Sequence, residues 1–190
     1  MRNIKHLFFL LLIVTNNGCS QQKNNTNLNF KNSIEYSIES SSNSLNPLIQ
    51  KINIIVNDGE IDSFSMNDYY NCKSTLIANI KFVNELEEVD DKTNLKQKTI
   101  KYLETGEKIL DNLILPIIKH LDNQNQKEIF DSEKLKEGLI LVETLVNQTS
   151  DLSNSLEEFC IKYKLSKKMS DFEKEDYIQK IEVLKSKLKN

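Results

Sequence analysis

The sequence predicts an all-α protein, an up-and-down bundle of three long helices and one or two short ones. Apolar residues recur at intervals of three and four along most of the chain, which is the period of a helix with one buried face. Only 4 glycines and 2 prolines occur among 190 residues, too few turn residues for a fold built of short strands. Helices joined by short polar turns would pack around one shared core.

The first 18 residues have the features of an export signal. A basic end with Arg2 and Lys5 precedes an apolar run of eight residues, Leu7 to Val14. A transmembrane helix needs about 20 apolar residues, whereas a run of this length matches the core of a signal peptide. We therefore expect residues 1–18 to be removed on export.

The residues after the apolar run resemble a lipobox, the motif at which lipoprotein signal peptides are cleaved. Gly18 stands directly before Cys19, and Ser20 follows. Asn16 departs from the motif, which usually has an aliphatic residue there. No A-x-A-like site follows the apolar run, so lipidation of Cys19 is favoured over ordinary secretion. Acyl chains on Cys19 would hold the protein on a membrane, since each buried methylene contributes about 0.8 kcal/mol.

Residues 19–44 are predicted to be the lipid anchor and a flexible tether. The segment is rich in Gln, Asn and Ser, with scattered apolar residues. So little apolar surface is not expected to offset the chain entropy lost on folding. The bundle domain is therefore predicted to comprise residues 45–190.

The first predicted helix of the bundle is short. It starts at Leu45, with Pro47 in its first turn, and its apolar face ends at Val56 before the turn signal at 57–59. The β-branched residues at 52–56 leave a short strand open as an alternative.

Three long helices are predicted next. The first is capped by Ser63 or Ser65 and runs to about residue 88. Its apolar face is Tyr69, Cys72, Leu76, Ile80 and Val83. The second has Asp90 or Asp91 as its N-cap and continues to about residue 121, with a kink or break expected at Pro116.

The third long helix is predicted from near Asp131 to Tyr163, where the apolar period stays in phase for about nine turns. The apolar face contains Leu135, Leu139, Val142, Leu145, Val146, Leu152, Leu156, Phe159 and Tyr163. A capping box, Ser170 with Glu173 three residues later, predicts a final short helix.

The charge balance argues against nucleic acid as a partner. Removal of residues 1–18 takes away two basic residues and no acidic one, leaving 23 basic against 28 acidic residues and a net charge of -5. Binding to nucleic acid calls for a basic patch or stripe instead.

Cys72 and Cys160 remain once Cys19 is assigned to lipid. Outside the cytoplasm such a pair can form a disulfide. Alternatively, both are small buried apolar residues on helix faces. The sequence leaves both interpretations open, because pairing requires Cα atoms within about 7 Å of each other.

No catalytic residue, metal site or cofactor is predicted. His120 is the only histidine after residue 18, and its place near a helix end beside Lys119 favours a role at the helix C-terminus. The acidic residues at 85–91 lack EF-hand spacing and are interpreted as a solvated helix end. No nucleotide-binding loop or nucleophile motif is present in the sequence. We therefore do not expect an enzyme.

With Gly18-Cys19-Ser20, a polar segment after it, and Asn67-Asp68-Tyr69-Tyr70-Asn71 opening a long helix, the chain resembles small helical-bundle surface lipoproteins of Bacteroidota and leptospires. The resemblance implies a fold and a location on the cell envelope, and no activity.

The function expected from these observations is that of a lipid-anchored, non-enzymatic protein of the bacterial cell envelope. It would face the periplasm or the exterior and bind a protein or envelope partner. One alternative is a small-ligand binder with Tyr69 or Tyr102 turned into a cavity between helices. Another is an immunity or inhibitor protein, a special case of partner binding.

Overall fold

A computed structural model describes residues 25–51, 65–122 and 132–166, with Glu175 and Gln179. Regular structure in these residues is entirely helical, which confirms the all-α bundle. The helices are α1 (residues 25–51), α2 (Met66–Glu85), α3 (Leu95–Ile109), α4 (Leu115–Asp122) and α5 (Ser132–Tyr163), with a π-helical turn (Leu110–Ile114) between α3 and α4. None of these helices combines the length and the hydropathy of a membrane span.

Helix α3 lies at the centre, in contact with α2 and with α5. Leu95, Leu103 and Ile109 of α3 are fully buried in the core, where burial of one such side chain stabilises the fold by about 1.5–3 kcal/mol. The π-helical turn continues this core through Leu110, Leu113 and Ile114.

Residues 25–44 belong to α1, so the predicted flexible tether is wrong for this part of the chain. Phe30, Ile34 and Leu45 are buried in the common core, and the Phe30 ring lies 5.6 Å from that of Phe159 in α5, centroid to centroid. Pro47 consequently lies inside a helix and not in a first turn. Residues 19–24 are outside the described part of the chain.

Serine hydroxyls explain how a segment of low hydropathy packs in the core. Asn79 of α2 is fully buried, and its Nδ2 donates to Oγ of both Ser40 and Ser41 at 2.8 Å. On α1, Ser42 also bonds the Tyr102 hydroxyl of α3 at 2.7 Å. A buried polar group with a hydrogen-bond partner costs far less free energy than an unpaired one. The small number of apolar residues in this segment therefore did not indicate that it would fold.

The start of α2 is as predicted, and the start of α3 is not. Ser65 caps α2, accepting a hydrogen bond from the backbone N–H of Asp68 at 3.1 Å. Helix α3 is preceded by Asn94 in the left-handed conformation, with φ of 50°. Asp90 instead bonds the backbone N–H of Lys92, two residues on, and forms a local turn before α3.

The predicted disturbance at Pro116 takes the form of the π-helical turn. There the N–H of Leu115 donates to the carbonyl of Leu110, five residues back, and α4 follows directly. Proline has no N–H and crowds the carbonyl four residues before it, so a widened turn just ahead of Pro116 accommodates both effects. The helical path continues where a break was one of the two expectations.

Helix α5 matches its predicted range and ends at Lys164, whose φ is 56°. The N–H of Leu165 then donates to the Cys160 carbonyl at 2.9 Å, as in a left-handed helix terminus. The predicted strand alternative at 52–56 and the capping box at Ser170 lie outside the described residues.

Candidate functional site

A groove of about 770 Å³ lies between α3 and α5. Its walls are two helices in direct contact, and its floor includes the side chains of Ile100 and Leu141. The lining residues are Asn94, Gln97, Lys98, Ile100, Lys101, Glu104, Thr105, Lys108, Leu141, Thr144, Gln148 and Asp151. We call this site the α3–α5 groove.

Lys98 bridges the two walls of the groove. Its Nζ donates to Ser155 Oγ at 2.7 Å and lies 3.3 Å from the Asp151 carboxylate of α5. Both charged side chains are partly exposed, so this pair contributes little to stability, about 0.2–1 kcal/mol. Because of this ion pair, the charges of Lys98 and Asp151 neutralise each other within the chain.

Two further lysines on the α3 wall have no such partner. Lys101 and Lys108 are exposed, line the groove, and form no ion pair within the described residues. They are seven positions apart, about 10.5 Å along a helix at 1.5 Å per residue. Glu104 lies between them on the same wall, so these three side chains give a net charge of +1.

Gln148 presents an unsatisfied acceptor on the α5 wall. Its Oε1 is buried from solvent and has no hydrogen-bond partner. A buried acceptor without a partner costs about 1–3 kcal/mol, so this atom lowers the stability of the fold.

Apolar side chains at the surface are concentrated on α5. Four of the five exposed large apolar side chains among the described residues are on this helix, and the fifth is Tyr70 of α2. Their exposed fractions are 38% for Leu139, 61% for Ile140, 63% for Val146 and 69% for Ile161. Ile140 is one turn before Thr144, a groove residue, and therefore borders the groove.

Leu139 and Val146 were predicted to face the core and do not. Leu145 is buried, while its neighbour Val146 turns outward. Successive residues of a helix point about 100° apart, and the face of α5 that meets α3 is too narrow for every apolar residue of the pattern. The run Leu139-Ile140-Leu141-Val142 was the available signal, because four consecutive apolar residues cannot all share one face.

A second polar cluster joins α2 to the π-helical turn. The Tyr69 hydroxyl donates to Asp111 at 2.8 Å, and Lys73 Nζ reaches both Asp111 oxygens at 2.7 and 2.8 Å. Burial, with the hydrogen bond to Asp111, raises the pKa of Tyr69. The hydrogen bond to Asp111 likewise raises the pKa of Lys73. Tyr69 and Lys73 therefore both stay protonated at neutral pH, which does not suit either as a general base.

The acidic run at 85–91 contains one buried carboxylate, Asp90. Burial alone would raise its pKa, but hydrogen bonds from Lys162 Nζ, at 2.8 Å, and from the Lys92 backbone outweigh burial and lower it. Asp90 thereby ties the α2–α3 connection to the end of α5. Among the described residues, no three acidic, His or Cys side chains are grouped to hold a metal ion.

Cys72 and Cys160 are both buried and are not bonded to each other in the structure. Cys72 Sγ lies 3.6 Å from Ser44 Oγ, whereas Cys160 Sγ lies 4.0 Å from the carbonyl of Ser166. Cys72 is on α2 and Cys160 is on α5, two helices that pack against different parts of α3. This placement agrees with the alternative of small buried apolar residues.

The other predicted positions do not meet at one site. Tyr69 and Tyr102 are buried, each with its hydroxyl hydrogen bonded, and neither lines the α3–α5 groove. His120 is in the last turn of α4, as expected from its position near a helix end. Cys19 lies outside the described residues.

Comparisons with known proteins give no relative from which a function could be transferred. No protein-family model, curated protein or solved structure matches the chain.

Proposed function

We propose that the chain is a non-enzymatic interaction module of the cell envelope, held on a membrane by lipid on Cys19, and that α5 binds a protein partner. The observation that supports partner binding is the concentration of exposed apolar side chains on α5. Immunity or inhibitor proteins are one form of such a module.

A protein partner would bury these exposed side chains. Burying a Val, Leu or Ile side chain fully stabilises an interface by about 1.5–3 kcal/mol. Single exposed apolar residues are ordinary on a protein surface, but clustered ones mark interaction sites. Leu139 and Val146 are seven positions apart and share one face of α5, whereas Ile140 points about 100° away, toward the side of the groove.

The polar clusters support a binding role over catalysis. Lys73 is bonded to Asp111, and Asp90 is bonded to Lys162, so each charge has a partner within the fold. A general base or nucleophile needs a group that can release or accept a proton near neutral pH. These pairs act as links between helices.

Photocrosslinking tests partner binding directly. A benzophenone amino acid placed at Ile140 or Val146 should give a discrete crosslinked protein in intact cells. The same group at Lys81, exposed on α2, serves as the control. An adduct from the α5 positions that is absent from the control supports the proposal. Equal adducts at all three positions, or none on α5, would contradict it.

Mass spectrometry of the mature N-terminus tests the anchor separately. We expect chain cleavage before Cys19 and a mass increase from acyl chains on that residue. The Cys19→Ala variant should lose the acyl mass and leave the membrane fraction. An unmodified Cys19, or cleavage at another position, would refute lipid anchoring without bearing on α5.

A second candidate function is small-ligand binding, favoured by the groove volume, which falls within the usual range of about 300–1,000 Å³. The lining argues against it, since ligand pockets are mostly apolar and only Ile100 and Leu141 are apolar here. Protein binding is therefore the better supported of the two.

A further inference from the structure

We propose that the α3–α5 groove seats an amphipathic helix of the partner protein, with carboxylates two turns apart along the edge that faces α3. This inference rests on the proposed function and specifies the partner's chemistry.

The shape of the site suits a helix. Both walls are helices in contact, and a third helix can lay its side chains into the groove between them. Ile100 and Leu141 on the floor and Ile140 at the rim would receive the apolar stripe of that helix. An amphipathic helix matches both parts of this lining, with its apolar stripe against Ile100 and Leu141 and its polar edge against the charged side chains that surround them.

The charges of the groove favour a partner with negatively charged side chains. Lys98 is already paired with Asp151, which leaves Lys101 and Lys108 as the cations of the α3 wall that have no ion-pair partner among the described residues. Their spacing of about 10.5 Å equals seven helical residues, so carboxylates at positions i and i+7 of a helix aligned with α3 would meet both. A basic residue between those carboxylates would face Glu104.

The two apolar side chains of the groove distinguish a helix from a simple polyanion. A polyanion without apolar groups would satisfy Lys101 and Lys108 and leave Ile100 and Leu141 uncovered. Gln148 Oε1 does not bear on this choice, because it is enclosed by the protein and out of reach of a group bound in the groove.

The test uses two synthetic peptides of about 20 residues with the same apolar stripe. One carries Glu at two edge positions seven residues apart, and the other carries Lys at the same positions. Binding to the purified protein is measured by fluorescence anisotropy at low and high salt. We expect the Glu peptide to bind at least tenfold more tightly than the Lys peptide at low salt, with a smaller ratio at high salt.

Matched variants locate the interaction. K101E/K108E should reverse the preference between the peptides, while K81E/K119E, which makes the same charge change at exposed residues outside the groove, should leave it intact. Far-ultraviolet circular dichroism establishes that both variants are folded.

Several results would overturn the inference: equal binding of the two peptides, no binding of either, the same loss with both variants, or equally tight binding of a polyglutamate without an apolar stripe. Crosslinking from Ile140 and Val146 in cells is independent of these peptides. If the peptide experiments fail but crosslinks form, the proposed function stands and only the proposal of an acidic partner helix is refuted. Loss of the crosslinks would remove the proposed function itself.

Discussion

Substitution of Gly138 by alanine should destabilise the protein, although alanine is the better helix former. Gly138 is buried in α5 against the π-helical turn. A Cβ atom at this position would lie 2.6 Å from Leu113 Cδ1, 2.8 Å from Cβ and 3.0 Å from Cγ. Leu113 is buried and its Cβ is fixed to the backbone, so the side chain cannot simply rotate away.

The magnitude follows from two opposed effects. Replacing glycine by alanine within a helix normally stabilises it by about 1 kcal/mol. Overpacking a filled core costs about 1–3 kcal/mol, and contacts this short belong at the upper end. We expect the free energy of unfolding to fall by about 1–2 kcal/mol and Tm to fall by roughly 2–8 °C.

Gly106→Ala provides the matched control. Its Cβ would lie 3.2 Å from Leu45 Cδ2 and 3.3 Å from Leu76 Cδ2, and both contacts are methyl ends of flexible side chains. We expect this variant to be within about 1 kcal/mol of the parent protein. Urea unfolding followed by circular dichroism measures both variants. A Gly138→Ala protein as stable as Gly106→Ala, or more stable than the parent, would refute the close approach of α5 to Leu113.

Other variants test the ion pair, the unpaired acceptor and the cap. Asp90→Ala should lower the free energy of unfolding by about 1–2 kcal/mol at pH 7. Because the folded-state pKa of Asp90 lies below its ordinary value of about 3.9, its contribution is complete above that value. The contribution is lost as pH falls through the folded-state pKa, so urea midpoints of parent and variant should converge in acid; a gap that is constant with pH would contradict the ion pair. Gln148→Leu should stabilise the protein by about 1 kcal/mol, because it removes a buried acceptor without a partner, and an unchanged or lower midpoint in thermal unfolding would contradict this. Ser65→Ala should cost about 0.5–2 kcal/mol in the same unfolding assay, whereas Ser65→Asp should retain most of the stability; equal losses would argue against the cap.

The element boundaries that the sequence predicted well are those set by local chemistry. Ser65 caps α2 because its hydroxyl and the Asp68 N–H are three residues apart, and α5 keeps its helical period up to Tyr163. The disturbance at Pro116 was predictable for the same reason, since proline removes a bond within its own turn. That the disturbance would be a π-helical turn, and not a break, depended on how the neighbouring helices pack.

The prediction was wrong where packing partners decided the outcome. Residues 25–44 have few apolar side chains, and they fold because Asn79 and Tyr102, from other helices, satisfy the serines of α1. Asp90 and Lys162 are 72 positions apart, and no local pattern connects them. The helical period of α5 showed that one face is buried, but it did not show that Val146 would fall outside it.

The sequence by itself determined that this protein is helical and where its long helices run, because helix periodicity and caps are interactions between residues a few positions apart. The tertiary structure alone decided that α1 joins the core and that α5 keeps apolar residues at the surface. Only the structure placed Lys101, Lys108 and Gln148 around one groove. The physical reason is that burial is a property of facing helix surfaces, and which surfaces face each other depends on the whole chain.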